Sequence, residues 1–383
     1  MATARAILQR HPGLKLALLE KESDVAQHTS GLNSGVLHAG YNQKPGTLKA
    51  RLCVEGNRLI RDYCRRTGVA LSDIGILIVA RRTEEIPILQ ELLRRGTTNG
   101  VPGLCMIDQR ELQRREPNVI GLQALSAPSG AAVDSSALVH RLAEDARAAG
   151  LELHLNQEVR AIRENSDGFV VRTNRADFHC TNLLNCAGLQ ADRIAHMMGA
   201  GLGYTIVPFR GEYFMLRDSL KDHVKAMVYP APDLEFPFLG IHWTKTTHGD
   251  LKVGPNAILA FGRESYRFWD IRLGDCLDML TKPGVWRLLG NPDFRLLFRR
   301  QIRTSLNRTA FLREAAALVR GVAVGDFRPG PAGIRAQLVD RKGRLVDDIL
   351  IERHGRALHV LNAVSPGLTC SLAFADYLAD QVL

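Results

Sequence analysis

Residues 14–20 read Leu-Lys-Leu-Ala-Leu-Leu-Glu, a short apolar run that ends on an acid. Ahead of it, Ala2–Arg10 (ATARAILQR) is alanine-rich and free of glycine, which predicts a helix. His11-Pro12-Gly13 breaks that helix. A helix, a tight turn and a strand ending in Glu20 make the second half of a βαβ dinucleotide-binding unit. In such a unit the terminal acid hydrogen-bonds a ribose, and a glycine-rich phosphate turn lies about 20 residues upstream. Only thirteen residues precede Leu14, and no Gly-x-Gly-x-x-Gly occurs in the chain. The nearest approach, Gly199-Ala200-Gly201-Leu202-Gly203, has the wrong spacing and no strand ahead of it. The expectation is a nucleotide-binding fold entered inside its first helix, N-terminally truncated, with the first strand and phosphate turn absent.

A chain of 383 residues that is 45% hydrophobic has enough apolar material for two lobes. No apolar run reaches the ~18 residues of a membrane span. Seven cysteines show no C-x-x-C pair, so neither zinc nor a redox dithiol is expected, and no metal site is predicted. The odd count fits a reducing, cytoplasmic compartment. The first nineteen residues carry Arg5, Arg10 and Lys15 and no acid, as a transit peptide would, but an interior helix and strand explain the His-Pro-Gly turn better.

Net charge is +10 and unevenly spread. Residues 287–320 hold eight arginines against two acids, Asp293 and Glu314. Phe294, Leu296, Leu297, Phe298, Ile302, Leu306, Phe311 and Leu312 are interleaved with them. Two readings stay open. One is a basic amphipathic surface lying peripherally on the inner face of a membrane. The other is a solvated helix packed on its own domain. No nucleic-acid motif accompanies the charge, so nucleic acid is not an expected partner.

Elements alternate along the chain, which argues for an α/β fold with an α+β lobe. Helices are predicted over 48–67, 84–95, 108–116, 135–149, 190–198 and 371–382. Strands are predicted over 75–80, 151–155, 158–164, 169–173, 177–180, 181–186, 336–339, 349–352 and 358–362. Residues 1–70, 131–203 and 321–383 are expected to form a discontinuous Rossmann-like nucleotide domain. Residues 71–130 and 204–320 are expected to form an inserted antiparallel-sheet substrate domain.

The stretch His28–Gly40 (HTSGLNSGVLHAG) follows the ribose-acid strand directly and is rich in small residues, which let backbone approach a flat ligand. With Asn185-Cys186-Ala187-Gly188 and Ser365-Pro366-Gly367, it resembles the FAD-dependent D-amino-acid-oxidase superfamily. Within it, the chain is similar to the branch that oxidises L-2-hydroxyglutarate. The resemblance rests on LLEKE (18–22), LNSGVLHAG (32–40), KPGTLKA (44–50), REPN (115–118), PFRGEYF (208–214), PFLGIH (237–242), VGPNAILAF (253–261), GIRAQ (333–337) and LNAVSPGLT (361–369). Two departures stand beside the missing glycine turn. Tyr41-Asn42-Gln43 replaces a family tyrosine pair, and SPGLTC replaces a smaller closing motif.

The resemblance implies FAD as cofactor and a small dicarboxylate hydroxy acid as substrate, oxidised to 2-oxoglutarate with electrons passing to a quinone or to oxygen. Glu20 would hold the ribose, with Lys21 beside the adenosine or at the surface. Thr29, Ser30, Asn33, Ser34, Gly35 and Val36 would pass along the flavin and diphosphate. Val159 would meet adenine through its backbone, or sit in the core. Ala187, Gly188 and Gly333 would also border the cofactor, and Ser365, Pro366, Gly367, Leu368 and Thr369 would aim a helix N-terminus at the flavin.

Oxidising a hydroxy acid also needs a base and a cationic grip on carboxylates. His38 is the first choice of base and His242 the competitor, since a neutral imidazole suits proton removal near pH 7. Arg210 offers a guanidinium fork matched to a carboxylate. Tyr213 could donate to the same group, and Arg335 could reach the second carboxylate or the flavin. Three alternatives remain at this level: another superfamily member acting on an amino acid, one acting on glycerol phosphate, or a truncated chain that does not retain FAD.

Overall fold

The computed structural model describes residues 1–234, 240–363 and 365–382, without the side chains of residues 297 and 300. The Pro237–Leu239 part of PFLGIH and Val364 of the closing motif lie outside it.

Helix α1 spans Ala2–Arg10 and buries Ala4, Ala6, Ile7 and Leu8. Gly13, at φ +86°, makes the turn into strand β1, Leu16–Leu19. β1 pairs in parallel with Leu151–His154, and the Glu20 amide extends the ladder by donating to the His154 carbonyl. α1 packs on the closing helix Gly367–Val382 through Ala6 and Ile7 against Ala375 and Ala379. Small residues on both sides let the two helices approach closely. A second parallel pair, Leu183–Asn185 with Ala357–Asn362, carries Leu350–His354 on its far edge. Strand β2, Val36–Leu37, joins a small antiparallel sheet with Ala131–Val133 and Leu71–Ser72. Helix α2, Leu48–Thr67, is capped by Thr47 and ended by Gly68 at φ +75°. Its Gly56 lies so close to the closing helix that a Cβ would meet the Thr369 carbonyl oxygen at 2.1 Å.

The second body is a nine-stranded sheet built around the long strand Tyr204–Leu216. Its strands pair antiparallel except for Met227–Pro230 beside Ile76–Ala80. Phe327–Asp340 runs along nearly the whole of Tyr204–Leu216, so this strand belongs to the large sheet although it follows residue 321. Trp243, Val253, Phe311, Leu312 and Phe327 fill the core on one side. Helices Leu273–Leu280, Pro283–Gly290, Pro292–Leu306 and Arg308–Ala316 form a layer beside it.

That layer changes the reading of residues 287–320. Phe294 packs with Phe209 and Val285, while Phe311 and Leu312 lie in the sheet core. Much of the segment's apolar periodicity therefore serves its own domain. The closing helix begins at Gly367, four residues before the expected start, because Pro366 and Gly367 form its first turn. The stretch 190–198 holds only one short helix, Ala191–His196.

Candidate active site

Strand ends and one helix start meet on the nucleotide side of the candidate site. Glu20 leaves β1, and Cys186, Ala187 and Gly188 leave Leu183–Asn185. The start of α1 is close enough that its terminal amine interacts with both Glu20 and Cys186. Ligands bind outside the carboxyl ends of parallel strands in such folds. The Glu20 carboxylate accepts from the Glu22 amide at 3.0 Å through Oε1. Gly188, at φ +54°, has open space where a Cβ would stand. The side chain of Val159 packs with Leu19 and Ile162, which leaves only its backbone for an adenine.

Lys21 is held in an ion cluster that ties the two bodies together. Its ammonium contacts Glu22, lies 2.9 Å from Glu264 and lies 2.9 Å from His28 Nε2. His28 Nδ1 is 2.7 Å from Tyr266 Oη. Glu22, His28 and Glu264 stand close enough together to suggest a cation site. The Lys21 ammonium already supplies the positive charge there.

The loop after the cluster is organised by its own side chains. Asn33 donates to the carbonyls of Thr29 and Ser30 and accepts the Gly35 amide at 2.7 Å. Thr29 Oγ1 donates to the Ile334 carbonyl, and Gly333 approaches so closely that a Cβ would meet the Leu32 oxygen at 2.5 Å. Ser34 is half-buried beside them, and Val36 opens β2. Ser365, Pro366, Gly367 and Leu368 lead into the closing helix, whose Thr369 is fully buried. Thr369 Oγ1 accepts the His38 amide at 3.0 Å, and Asn57 donates to the His38 carbonyl at 2.9 Å. The His38 backbone is fixed from two sides while its imidazole has no protein partner among the described residues.

His38, His242 and Lys252 converge at the far end. Burial pushes the His38 pKa down to about 4 and that of His242 to about 3, and charge on His38 or Lys252 further disfavours protonation of His242. Both rings are therefore neutral near pH 7. His242 Nδ1 lies 2.9 Å from the Gly240 carbonyl. A carbonyl only accepts, so Nδ1 carries the proton and Nε2 is left as the basic nitrogen. The ring stacks on Tyr229 with centroids 4.0 Å apart.

Lys252 is a residue the sequence did not flag. It sits in Leu251–Gly254, is 9% exposed, and donates to the Asn33 carbonyl at 3.4 Å. Its ammonium lies 5.2 Å from the centre of the Tyr213 ring. It has no carboxylate partner among the described residues, and burial pushes its pKa down to about 8. Tyr229 Oη and Thr244 Oγ1 are also buried there, facing each other.

Arg210 sits differently. Its guanidinium is 2.8 Å from Glu212, which also accepts from Asn256 at 3.0 Å and Ser305 at 2.7 Å. Phe268 covers it at 5.2 Å. Arg210 thus carries a neutralising partner within the fold. Arg335 bonds Gln337 at 3.1 Å, and burial lowers its pKa to about 10. Tyr213 lies where the register of Tyr204–Leu216 shifts, a place where strands re-aim a side chain.

Residues 1–381 match the FAD dependent oxidoreductase (DAO) family, and the chain belongs to it. It is an enzyme of that family, with FAD as cofactor. Among its relatives are the mitochondrial L-2-hydroxyglutarate dehydrogenase of Bos taurus, 39% identical over 399 residues, and the L-2-hydroxyglutarate dehydrogenase of Escherichia coli K12, 37% identical over 383 residues. Both alignments cover 100% of this chain, with 86% and 90% of the relatives. The L-α-glycerophosphate oxidase of Mycoplasma pneumoniae with FAD bound has the same fold at a TM-score of 0.77 and 24% identity, covering 100% of this chain and 91% of that one. Glycine oxidase of Geobacillus kaustophilus aligns at a TM-score of 0.73 and 20% identity, covering 100% and 90%.

The residues fit the cofactor at both ends. Glu20 keeps acceptor capacity for a ribose, Gly188 leaves room beside it, and the crevice histidine lies against the first turn of the closing helix.

Proposed function

We propose that the chain oxidises L-2-hydroxyglutarate to 2-oxoglutarate and passes the electrons to a quinone or to oxygen. The observation that carries this reading is the convergence of two neutral imidazoles with a buried ammonium that has no carboxylate partner among the described residues. That set suits a hydroxy acid with carboxylates better than a zwitterionic amino acid, whose own ammonium would meet Lys252. The full-length likeness to L-2-hydroxyglutarate dehydrogenases supports the same substrate.

FAD, when bound, supplies the two-electron acceptor for hydride from the carbinol carbon. The rest falls to the protein. His38 takes the hydroxyl proton; its imidazole is neutral at neutral pH, with one ring nitrogen able to accept it. His242 Nε2 accepts a second contact and orients the substrate. Lys252 holds one carboxylate, with the Tyr229 and Thr244 hydroxyls beside it. Arg210, Tyr213 and Arg335 border the second carboxylate, with Glu212 and Asn256 setting the Arg210 fork.

A substrate panel with a dye acceptor tests the reading. L-2-hydroxyglutarate should be turned over well ahead of its D enantiomer, glycerol 3-phosphate, glycine and proline. Preference for an amine or a phosphate ester would move the chain to another branch of the family.

A further inference from the structure

Two loops leave the nucleotide-side strands, and one carboxylate of the second body holds both. Lys21 follows Glu20 at the end of β1, and Gln190 closes the turn after Leu183–Asn185. Glu264 Oε1 lies 2.9 Å from the Lys21 ammonium and accepts from Gln190 Nε2 at 3.1 Å. Its second oxygen faces Arg272 at 3.4 Å. Two residues on, Tyr266 meets His28 at the head of the loop 28–35. Its hydroxyl is 2.7 Å from Nδ1, and the two rings stack with centroids 5.9 Å apart. Glu264 and Tyr266 belong to the irregular segment 260–272, between the strand Ile258–Leu259 and the helix Leu273–Leu280. The Arg272 amide closes that segment on the Phe261 carbonyl at 2.9 Å. Its foot is fixed on the nucleotide body by Arg263 and Asp192, an ion pair whose side chains are each 1% exposed. The contacts at 264 and 266 lie nearer water, with Lys21 24% and His28 25% exposed. The segment thus has a buried foot and an outer edge that solvent reaches.

We propose that Glu264 and Tyr266 form a clasp that retains FAD. From the second body they hold the loops that flank the dinucleotide, so the cofactor leaves only after the clasp lets go. They are positioning residues that act through Lys21, Gln190 and His28. Three placements tie those partners to the cofactor. Lys21 directly follows the ribose acid Glu20, whose carboxylate is itself oriented by the Glu22 amide. Gln190 stands two residues past Gly188, where open space takes the place of a side chain. His28 opens the loop whose Asn33 and Thr29 pack it against Gly333 and Ile334. The ionic half of the clasp is open to screening, because Lys21 stays partly in water, while the Arg263–Asp192 foot is shielded from it. Opening the clasp therefore frees the loops without parting the two bodies. The proposal concerns cofactor retention and is independent of which substrate is oxidised.

The FAD-loaded protein is diluted into FAD-free buffer at low and high potassium chloride, and the rise of free-flavin fluorescence gives the release rate. Glu264→Gln keeps an acceptor for Gln190 and removes the charge that Lys21 meets. Tyr266→Phe keeps the ring on His28 and removes the hydroxyl. Release should quicken by about tenfold in Glu264→Gln, which loses a charge-assisted contact, and by about threefold or more in Tyr266→Phe. Salt should speed release from the unsubstituted protein and have little effect on Glu264→Gln. Val285→Ala separates the clasp from general weakening: it opens a cavity in the core beside Phe209 and Leu288, and should lower Tm without quickening release. Release unchanged in both clasp variants overturns the proposal. So does release quickened as much by Val285→Ala, a salt effect that persists in Glu264→Gln, or an unsubstituted protein that holds no FAD. No substrate is present in this measurement, so failure of the substrate reading would show separately in the substrate panel.

Discussion

Arg210 and Glu212 point to one side of their strand and pair at 2.8 Å, so the arginine of the PFRGEYF motif is already balanced by a carboxylate two residues on. Lys252, by contrast, is buried with a carbonyl and a ring as neighbours. Lys252→Met should therefore raise KM for the dicarboxylate by about 10–100-fold with little change in thermal stability. Arg210→Ala should raise KM too, and should also lower Tm by leaving Glu212 without its cation. Steady-state kinetics and thermal melts on both variants check this. An unchanged KM in Arg210→Ala would remove that residue from the substrate site.

The pH profile of kcat/KM should be shaped by two depressed values. His38 is neutral above about 4 and Lys252 charged below about 8. Activity should hold across that window and fall above pH 8 as the ammonium deprotonates. Lys252→Met should abolish the alkaline fall.

Stability carries the opposite limb. The unfolded chain protonates its histidines near 6.5, while folded His38 and His242 resist protonation until about 4 and about 3. Below 6.5 the unfolded state binds more protons, so stability declines as pH falls through this range. A His242→Asn variant should show a shallower decline in Tm between pH 6.5 and 4.

Thr369 joins the closing helix to the crevice by accepting the His38 amide. Thr369→Val keeps the shape and removes the acceptor. Chemical denaturation should show a loss of about 1–3 kcal/mol, the cost of an unpaired buried amide. The kcat of this variant should fall with it, since the base is no longer fixed.

Gly333 lets the loop 28–35 lie against its strand. In Gly333→Ala the added Cβ would meet the Leu32 oxygen at 2.5 Å and push that loop outward. FAD fluorescence titration should show affinity weakened by about tenfold, while far-ultraviolet circular dichroism stays unchanged.

Much of the fold was legible because local signals agreed. An apolar run ending in Glu20, a His-Pro-Gly stop and an Asp134 cap each specify one structure, and the helix 48–67 is found at the residues expected. For the candidate site, the sequence offers residue types but not their pairings. Successive residues i and i+2 of a strand share a face, so the Arg210–Glu212 pair could have been foreseen once 204–216 was read as a strand. Lys252 carried no such signal. One lysine in a four-residue strand looks like an edge residue, and only pairing with His242–Lys245 and Tyr204–Leu216 buries it. The 287–320 amphipathicity left two readings open because an apolar stripe does not say whether it faces core or membrane.

The most direct measurement is the visible spectrum of the protein after incubation with FAD and desalting, before and after anaerobic L-2-hydroxyglutarate. A retained flavin band that bleaches with the L enantiomer and persists with the D enantiomer is the expected result. A retained band that ignores L-2-hydroxyglutarate, or no retained flavin at all, would contradict the account.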